Sequence, residues 1–400
     1  MELYLQFGHG MMSMSEELLN SWETGIIILS PRDLTLDQMT NFCSRISPKG
    51  GKVAIDPQFF IPRSDHGRLI SHSFWPSNYQ TALFNKAEIR QMLTALKADY
   101  NDPLNSIFFI LPGLMSSLIS DDWYSYNTML LEEAASMITD KDLYLTLCLS
   151  KEAASDEDTI HQIIEYLDTW NFAGCYIVAE PPSNEYLITD PNWIVNLLDL
   201  TTGIKHQGKK VILGYANHQM LLLALSKVDA IASGNWLNVR TFSTSRFNNP
   251  EDGMSRRSKW YYCPQALSEY QIPFLDMANR VGLLQNLRTD SSFGSSYTEL
   301  LFSSGAQPST VNYNERQSFQ HYLHCLRHQA KQSVKETYSL TKEGLKIQLE
   351  TARLLTESFS SNGITGRDRD FKNVVDYNLS ALAVYDNLRG LVQANKWNSL

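Results

Sequence analysis

The chain has 400 residues, 43% of them hydrophobic, and a net charge of −9 at pH 7. That length suits two or three units of roughly 150 residues, or one (β/α)8 barrel of about 250 residues with an addition. The acidic balance excludes a wholly basic nucleic-acid coat, since phosphate binding is driven by Lys and Arg, but it leaves room for a local basic patch.

Five cysteines are present and none forms a CxxC pair. This argues against a disulfide framework or an all-Cys zinc site and fits a reducing cytoplasm. No basic segment precedes an apolar run at the N-terminus, and no apolar stretch of about 18 residues occurs, so a soluble protein without a membrane partner is expected.

In chain order, short apolar runs fall at Leu3–Phe7, Gly25–Leu29, Lys52–Ile55, Ser106–Leu111, Leu143–Leu149, Gly174–Ala179, Lys210–Leu213 and Asp229–Ala232. Near-continuous runs of this length predict strands buried on both faces. Between them, Asp156–Trp170 carries Ile160, Ile163, Ile164 and Leu167 at helical spacing, and Asn192–His206 and His218–Lys227 are further predicted helices. The alternation predicts βα units and an α/β fold, a (β/α)8 barrel, with a doubly wound open sheet as the alternative.

After the third run, Pro57 to Gln80 lacks a period and holds Arg63, Asp65, His66, His72, Trp75 and Tyr79. It is either part of the functional face of a barrel or a plain surface loop. Residues 238–263 are polar, basic and aromatic, and residues 291–310 form a Ser/Gly-rich loop. Helical segments are predicted at Glu315–Ser360 and Phe371–Asn395. The expected division is a barrel over 1–290 and a helical extension over 311–400.

In a barrel, polar residues just after the strands share one mouth. Here these are Gln6, His9, Ser30, Arg32, Asp56, Gln58, Glu180, Tyr215, His218, Ser233, Asn235 and Asn238. Asp56 and Glu180 are the carboxylates expected to face each other, as base and acid or base and nucleophile. The structural alternative is that each caps a helix or pairs with Arg32 or Arg63. His9 and His218 suit acid–base or substrate-binding roles, as do Arg32, Gln58, Tyr215, Ser233 and Asn235 for binding.

Arg240, Arg246, Arg256, Arg257 and Lys259 oppose Glu251 and Asp252, a local charge of +3, with Phe242, Phe247 and Trp260 interleaved. Cations with aromatics suit phosphates and stacked bases, and equally a protein partner or a solvated loop. His321, His324, Cys325 and His328 share one helical face, which is read as packing rather than as a metal site. No GxGxxG, P-loop, HExxH or GxSxG pattern occurs, so no cofactor is expected.

Four stretches resemble the tRNA-guanine transglycosylases and their paralogues that insert 7-deazaguanines into DNA. They are Asp56-Pro57-Gln58-Phe59-Phe60, Val178-Ala179-Glu180-Pro181, Val211 to Ser233, and Ser318 to Leu326. The resemblance implies a TIM barrel that exchanges a purine base through a glycosyl–aspartate intermediate, with Asp56 as general base. The departures are specific. The family's nucleophilic aspartate falls at Ala232 and its base-reading aspartate near Leu111. Its zinc cysteines fall around Ser309, Val311 and Asn314, so zinc of the family type is not expected.

Three readings follow. One is a zinc-less transglycosylase-like protein that binds tRNA or DNA and acts on a purine N-glycosidic bond, as a glycosyltransferase or N-glycosidase. A second is a non-catalytic subunit that binds nucleic acid or a protein through its C-terminal helices, for instance in antiviral defence. The third is an unrelated small-molecule barrel enzyme.

Overall fold

The computed structural model describes residues 1–76, 85–248, 258–303 and 305–400. Eight parallel strands alternate with helical crossovers in a nearly closed (β/α)8 barrel. They are β1 (Glu2–Gln6), β2 (Gly25–Leu29), β3 (Gly51–Ile55), β4 (Phe109–Ile110), then, after a two-residue strand β5 (Met115–Ser116), β6 (Leu143–Leu149), β7 (Gly174–Ala179), β8 (Lys210–Leu213) and β9 (Ala230–Ser233). The order around the barrel is β3-β2-β1-β9-β8-β7-β6-β4, with β5 paired to β6. The seam between β3 and β4 is bridged by Ile107 N–H to Val53 C=O at 3.0 Å, and above it by Met115 N–H to Phe60 C=O at 2.9 Å. Every residue of β6 and β7 is buried, which is why these strands read as unbroken apolar runs rather than alternating ones.

The crossovers are α1 (Met11–Trp22), α2 (Leu36–Ile46), α3 (Lys86–Ala95), α4 (Asp121–Met137), α5 (Lys151–Ser155), α6 (Glu157–Asp168) and α7 (Pro191–His206). Side-chain caps start most of them: Thr35 and Asn85 in capping boxes, then Ser120, Ser150, Asp156 and Asp190. The predicted α-helix between the last two strands is instead a 3-10 helix, His218–Ser226, buried along its whole length. Its rise of about 2 Å per residue lets nine residues span about 18 Å, where an α-helix would span about 14 Å.

The last barrel strand ends at Ser233. After residue 260, Tyr262, Tyr322, Leu326, Leu349 and Tyr385 join the core of the barrel, while Tyr261, Tyr270, Leu275, Phe302, Tyr313 and Phe359 build a second core. Its hairpin is β10 (Trp260–Cys263) and β11 (Ser268–Gln271), followed by α8 (Ile272–Arg280), α9 (Leu284–Leu287), α10 (Glu299–Ser303), α11 (Glu315–Ser333), α12 (Tyr338–Ser361) and α13 (Val375–Lys396). The helix predicted over 315–360 breaks at 334–337, where Thr337 caps the next one. The extension grips the barrel through polar anchors. Arg316 pairs with Glu17 at 2.5 Å, Arg389 with Asp199 at 2.5 Å, and Gln393 meets His206 at 2.7 Å. Among the described residues no helix is long and apolar enough to cross a membrane.

Candidate functional site at the barrel mouth

Strand alternation turns Gln6, Asp56 and Tyr176 into the lumen, and hydrogen bonds across it prove the placement. The Tyr176 hydroxyl lies 3.1 Å from both Gln6 Oε1 and Asp56 Oδ2, although β9 and β8 separate its strand from that of Gln6. Tyr215 donates to the same Asp56 oxygen at 3.0 Å, and Gln58 N–H donates to Oδ1 at 2.9 Å. Gln58 is held in turn: its Oε1 accepts from Ser30 Oγ (3.0 Å) and Arg32 N–H (2.9 Å), and its Nε2 donates to Tyr215 (3.0 Å). Gln58 and Tyr215 both adopt left-handed backbone, at φ 55° and 53°. Non-glycine residues hold that conformation where surrounding contacts impose it. Gly214 fits because a Cβ there would lie 2.5 Å from the Tyr176 hydroxyl.

Asp56 is completely buried. Burial raises its carboxyl from 3.8 to about 7, against the downward pull of the Gln58 N–H and the two tyrosines. Tyr176 has one proton for two acceptors. With Asp56 ionised, that proton goes to the carboxylate. With Asp56 protonated, the carboxyl donates to Tyr176, which donates to Gln6.

The mouth above this cage is filled by the chain itself. After β9 the backbone turns across the barrel top and inserts Phe242 and Phe247. Phe60 lies 5.1 Å and 5.0 Å from their rings, and Tyr215 lies 5.4 Å from Phe242. All four are buried. The plug is tied down by Ser64 Oγ, which donates to Phe247 C=O, and by Arg32 Nε, which donates to Arg246 C=O at 2.8 Å. Beside it remains a space of about 20 Å³, room for a single water.

Several expectations are corrected by this geometry. Among the described residues no hydrogen bond joins Asp56 to Glu180, and Asp56 is enclosed by Gln58, Tyr176 and Tyr215. Glu180 opens onto a polar surface cleft of about 330 Å³, shared with Lys151, Glu185, Ser243, Ser245 and Arg246, and accepts from Thr244 at 3.4 Å. Arg240 is no phosphate ligand. It is fully buried, 3.2 Å from Glu269, and its guanidinium lies 3.4 Å from the Tyr322 ring centroid. Arg369 completes the triad, 2.9 Å from the same carboxylate and stacked on Trp260. Burial opposes ionisation of Glu269, but the two guanidiniums outweigh it and hold its carboxyl at about 2.

Arg246 is half-buried at the edge of the cleft beside Glu180, donating to Asn238 C=O and, at 2.6 Å, to Thr241 C=O. Burial, with Arg32 nearby, lowers it to about 10. Lys259 donates to Tyr313 C=O at 2.9 Å, while Arg256 and Arg257 lie outside the described residues. His218 is not in the mouth. It is buried between the barrel and the extension, with Tyr262 5.0 Å and Phe371 5.9 Å away, and burial lowers it to about 4. Ser233 is likewise buried, on the side of Tyr322.

His9 is exposed, and its C=O accepts from Asn235 at 2.8 Å, so both help shape the turn after β1. In the loop after β3, His72 bridges Tyr100 and Pro31 C=O at 2.8 Å each, and Trp75 stacks edge-on to Phe59. Tyr79 lies outside the described residues. His321 stacks on Tyr261 at 5.2 Å, and His324 accepts from Trp22 at 3.3 Å. Among the described residues no group of three His, Cys, Asp or Glu side chains is placed to hold a metal ion.

Sequence reasoning missed Tyr176, which sits in mid-strand within an apolar run. Its one signal is the hydroxyl, which needs a partner when a tyrosine is buried in a strand.

The site thus defines a (β/α)8 barrel with a caged carboxylate and an aromatic plug. Comparison of the chain with protein-family models and with curated protein sequences finds no match.

Proposed function

We propose that the protein is a transglycosylase-like barrel that has given up base exchange and serves as a non-catalytic, protein-binding subunit. One observation carries this reading: Asp56 is fully buried, and Phe60, Phe242 and Phe247 pack on one another and on Tyr215, which holds its carboxylate. The sequence departures agree, since Ala232 and Leu111 supply no functional group where the family has aspartates. The burial of Arg240 against Glu269 removes one of the cations that a phosphate backbone would use. Exposed apolar side chains on α12 and α13, such as Leu354 and Leu391, favour a protein surface as the partner.

A specific observation favours a second reading, a barrel enzyme with a movable lid. Asp56 titrates near neutrality and is flanked by two left-handed residues, features that gather at active sites.

The test is a base-release and base-exchange assay on tRNA, single-stranded DNA and duplex DNA, with the native chain and Asp56→Asn. The expected result is no turnover above background in either. Turnover by the native chain that Asp56→Asn abolishes would establish the enzyme instead.

A further inference from the structure

The histidines of α11 hold the loop that joins α9 to α10. His324 Nε2 donates to Phe293 C=O at 2.9 Å, while its Nδ1 accepts from Trp22, and the His328 ring packs on Phe293 at 4.7 Å. The chain then turns through left-handed backbone at Gly294, φ 63°, and brings Ser295 back to His321. Ser295 Oγ lies 2.7 Å from His321 Nδ1, and Tyr262 C=O lies 2.8 Å from Nε2. A carbonyl only accepts, so in the neutral ring Nε2 carries the proton and Nδ1 accepts from the serine hydroxyl.

We infer that Ser295 and His321 form a hydrolytic site apart from the barrel, a serine nucleophile with a histidine base, which cleaves small carboxylic esters. Three features separate this pair from a hydrogen bond that merely satisfies a buried ring. The base is oriented: His321 is fully buried, stacked on Tyr261 and tied to Tyr262, as an activated serine requires of its partner. The nucleophile is reachable: Ser295 is half-buried and lines a cleft of about 510 Å³. The N–H of the next residue, Ser296, makes no hydrogen bond among the described residues and is free to receive an oxyanion. Buried Phe302 and exposed Gln285 and Arg288 line the same cleft, which suits a short acyl chain joined to a polar alcohol.

In the first step Ser295 Oγ attacks the ester carbonyl carbon and its proton passes to His321 Nδ1. The alcohol leaves with that proton, and the acyl group stays on Ser295. Water then adds to the acyl carbon, giving a proton to Nδ1, and Ser295 recovers that proton as the carboxylic acid departs. Burial lowers His321 to about 4, so Nδ1 is unprotonated from about pH 5 upward. Tyr261, Thr289 and, on its own helix, His324 and Cys325 face the ring. Among the described residues no carboxylate pairs with it, so the imidazolium rests on a carbonyl dipole and turnover is slow.

The test is reaction of the full chain with p-nitrophenyl acetate and with a fluorophosphonate probe between pH 5 and 8, the adduct being located by peptide mass spectrometry. The expected result is slow release of p-nitrophenol, one adduct on Ser295, and a labelling rate that stays level across this range. Ser295→Ala should lose both adduct and turnover, while Ser291→Ala and Ser292→Ala, at exposed positions of the same loop, keep both. His321→Asn should slow labelling about 100-fold. No adduct on Ser295, an adduct spread over Ser291, Ser292 and Ser296, or a rate that rises in proportion to hydroxide overturns the site. The pH series on the native chain decides the matter even where His321→Asn fails to fold. The site shares no residue with the barrel mouth, so the base-exchange assay and this one fail or succeed separately.

Discussion

Replacing Asp56 by Asn should stabilise the protein above neutral pH and change little below pH 5. The unfolded chain releases the Asp56 proton near 3.8, whereas the folded barrel holds it to about 7. Between those values the folded state binds one proton more, so its stability falls as pH rises, by about 1.4 kcal/mol per unit. The stabilisation is complete below 3.8 and lost once pH passes 7. From pH 5 to 8 the native chain should therefore lose about 2–3 kcal/mol that the Asn variant keeps. The amide oxygen can still accept from Gln58 N–H, and the amide nitrogen in the place of Oδ2 can donate to the tyrosine hydroxyls as the protonated acid does, so the cage survives. Urea unfolding at pH 5, 6.5 and 8, with equal m-values required of both proteins, gives the difference directly. A stability gap that does not vary with pH, or a variant weaker at pH 8, would refute the claim that the plug keeps water from this carboxylate.

The other expectations concern packing and the buried charges. Gly214→Ala should cost about 1–3 kcal/mol by driving a methyl into the Tyr176 hydroxyl, and Tyr176→Phe should recover part of it in a double-mutant cycle read by thermal unfolding. Glu269→Gln strands the buried Arg240 guanidinium and the half-buried Arg369 and should cost about 3–5 kcal/mol in urea titrations, more than exchanging any surface ion pair. His218 is lowered to about 4, so its contribution is intact above 6.5 and is lost as pH falls through 4. His218→Phe should flatten the acid limb of a stability–pH profile, and an unchanged limb would mean that the ring is hydrated. Arg240→Ala should lower stability whether or not nucleic acid is present, with no separate change in the salt dependence of tRNA binding.

The eight strands were legible because each is a short apolar run buried on both faces, a pattern few other elements share. The hairpin of β10 and β11 was not, because Trp260–Cys263 sits within a basic, aromatic stretch and its pairing exists only once Ser268–Gln271 folds back. Asp56 could be placed at a strand end from its position alone. Its cage could not, since Tyr176 and Tyr215 come from strands across the lumen. The clearest misreading was Arg240. A string of arginines with phenylalanines looks like a nucleic-acid surface until Glu269, 29 residues on, claims the first of them and Phe242 and Phe247 turn into the barrel.

That reversal also explains why the plug is a lasting part of the fold. The segment after β9 is held at its start by the Arg240–Glu269–Arg369 triad, along its length by the Arg246 contacts to its own carbonyls, and at its end by Ser64 and Arg32. Lifting Phe242 and Phe247 would expose two buried rings, at roughly 1.5–3 kcal/mol each, and would break those ties as well. A substrate would have to replace all of this with its own contacts before it reached Asp56. An enzyme gains nothing by spending binding energy on its own side chains rather than on the transition state. A subunit whose work lies on its outer helices bears no such penalty, and for it a filled barrel is simply a more stable support.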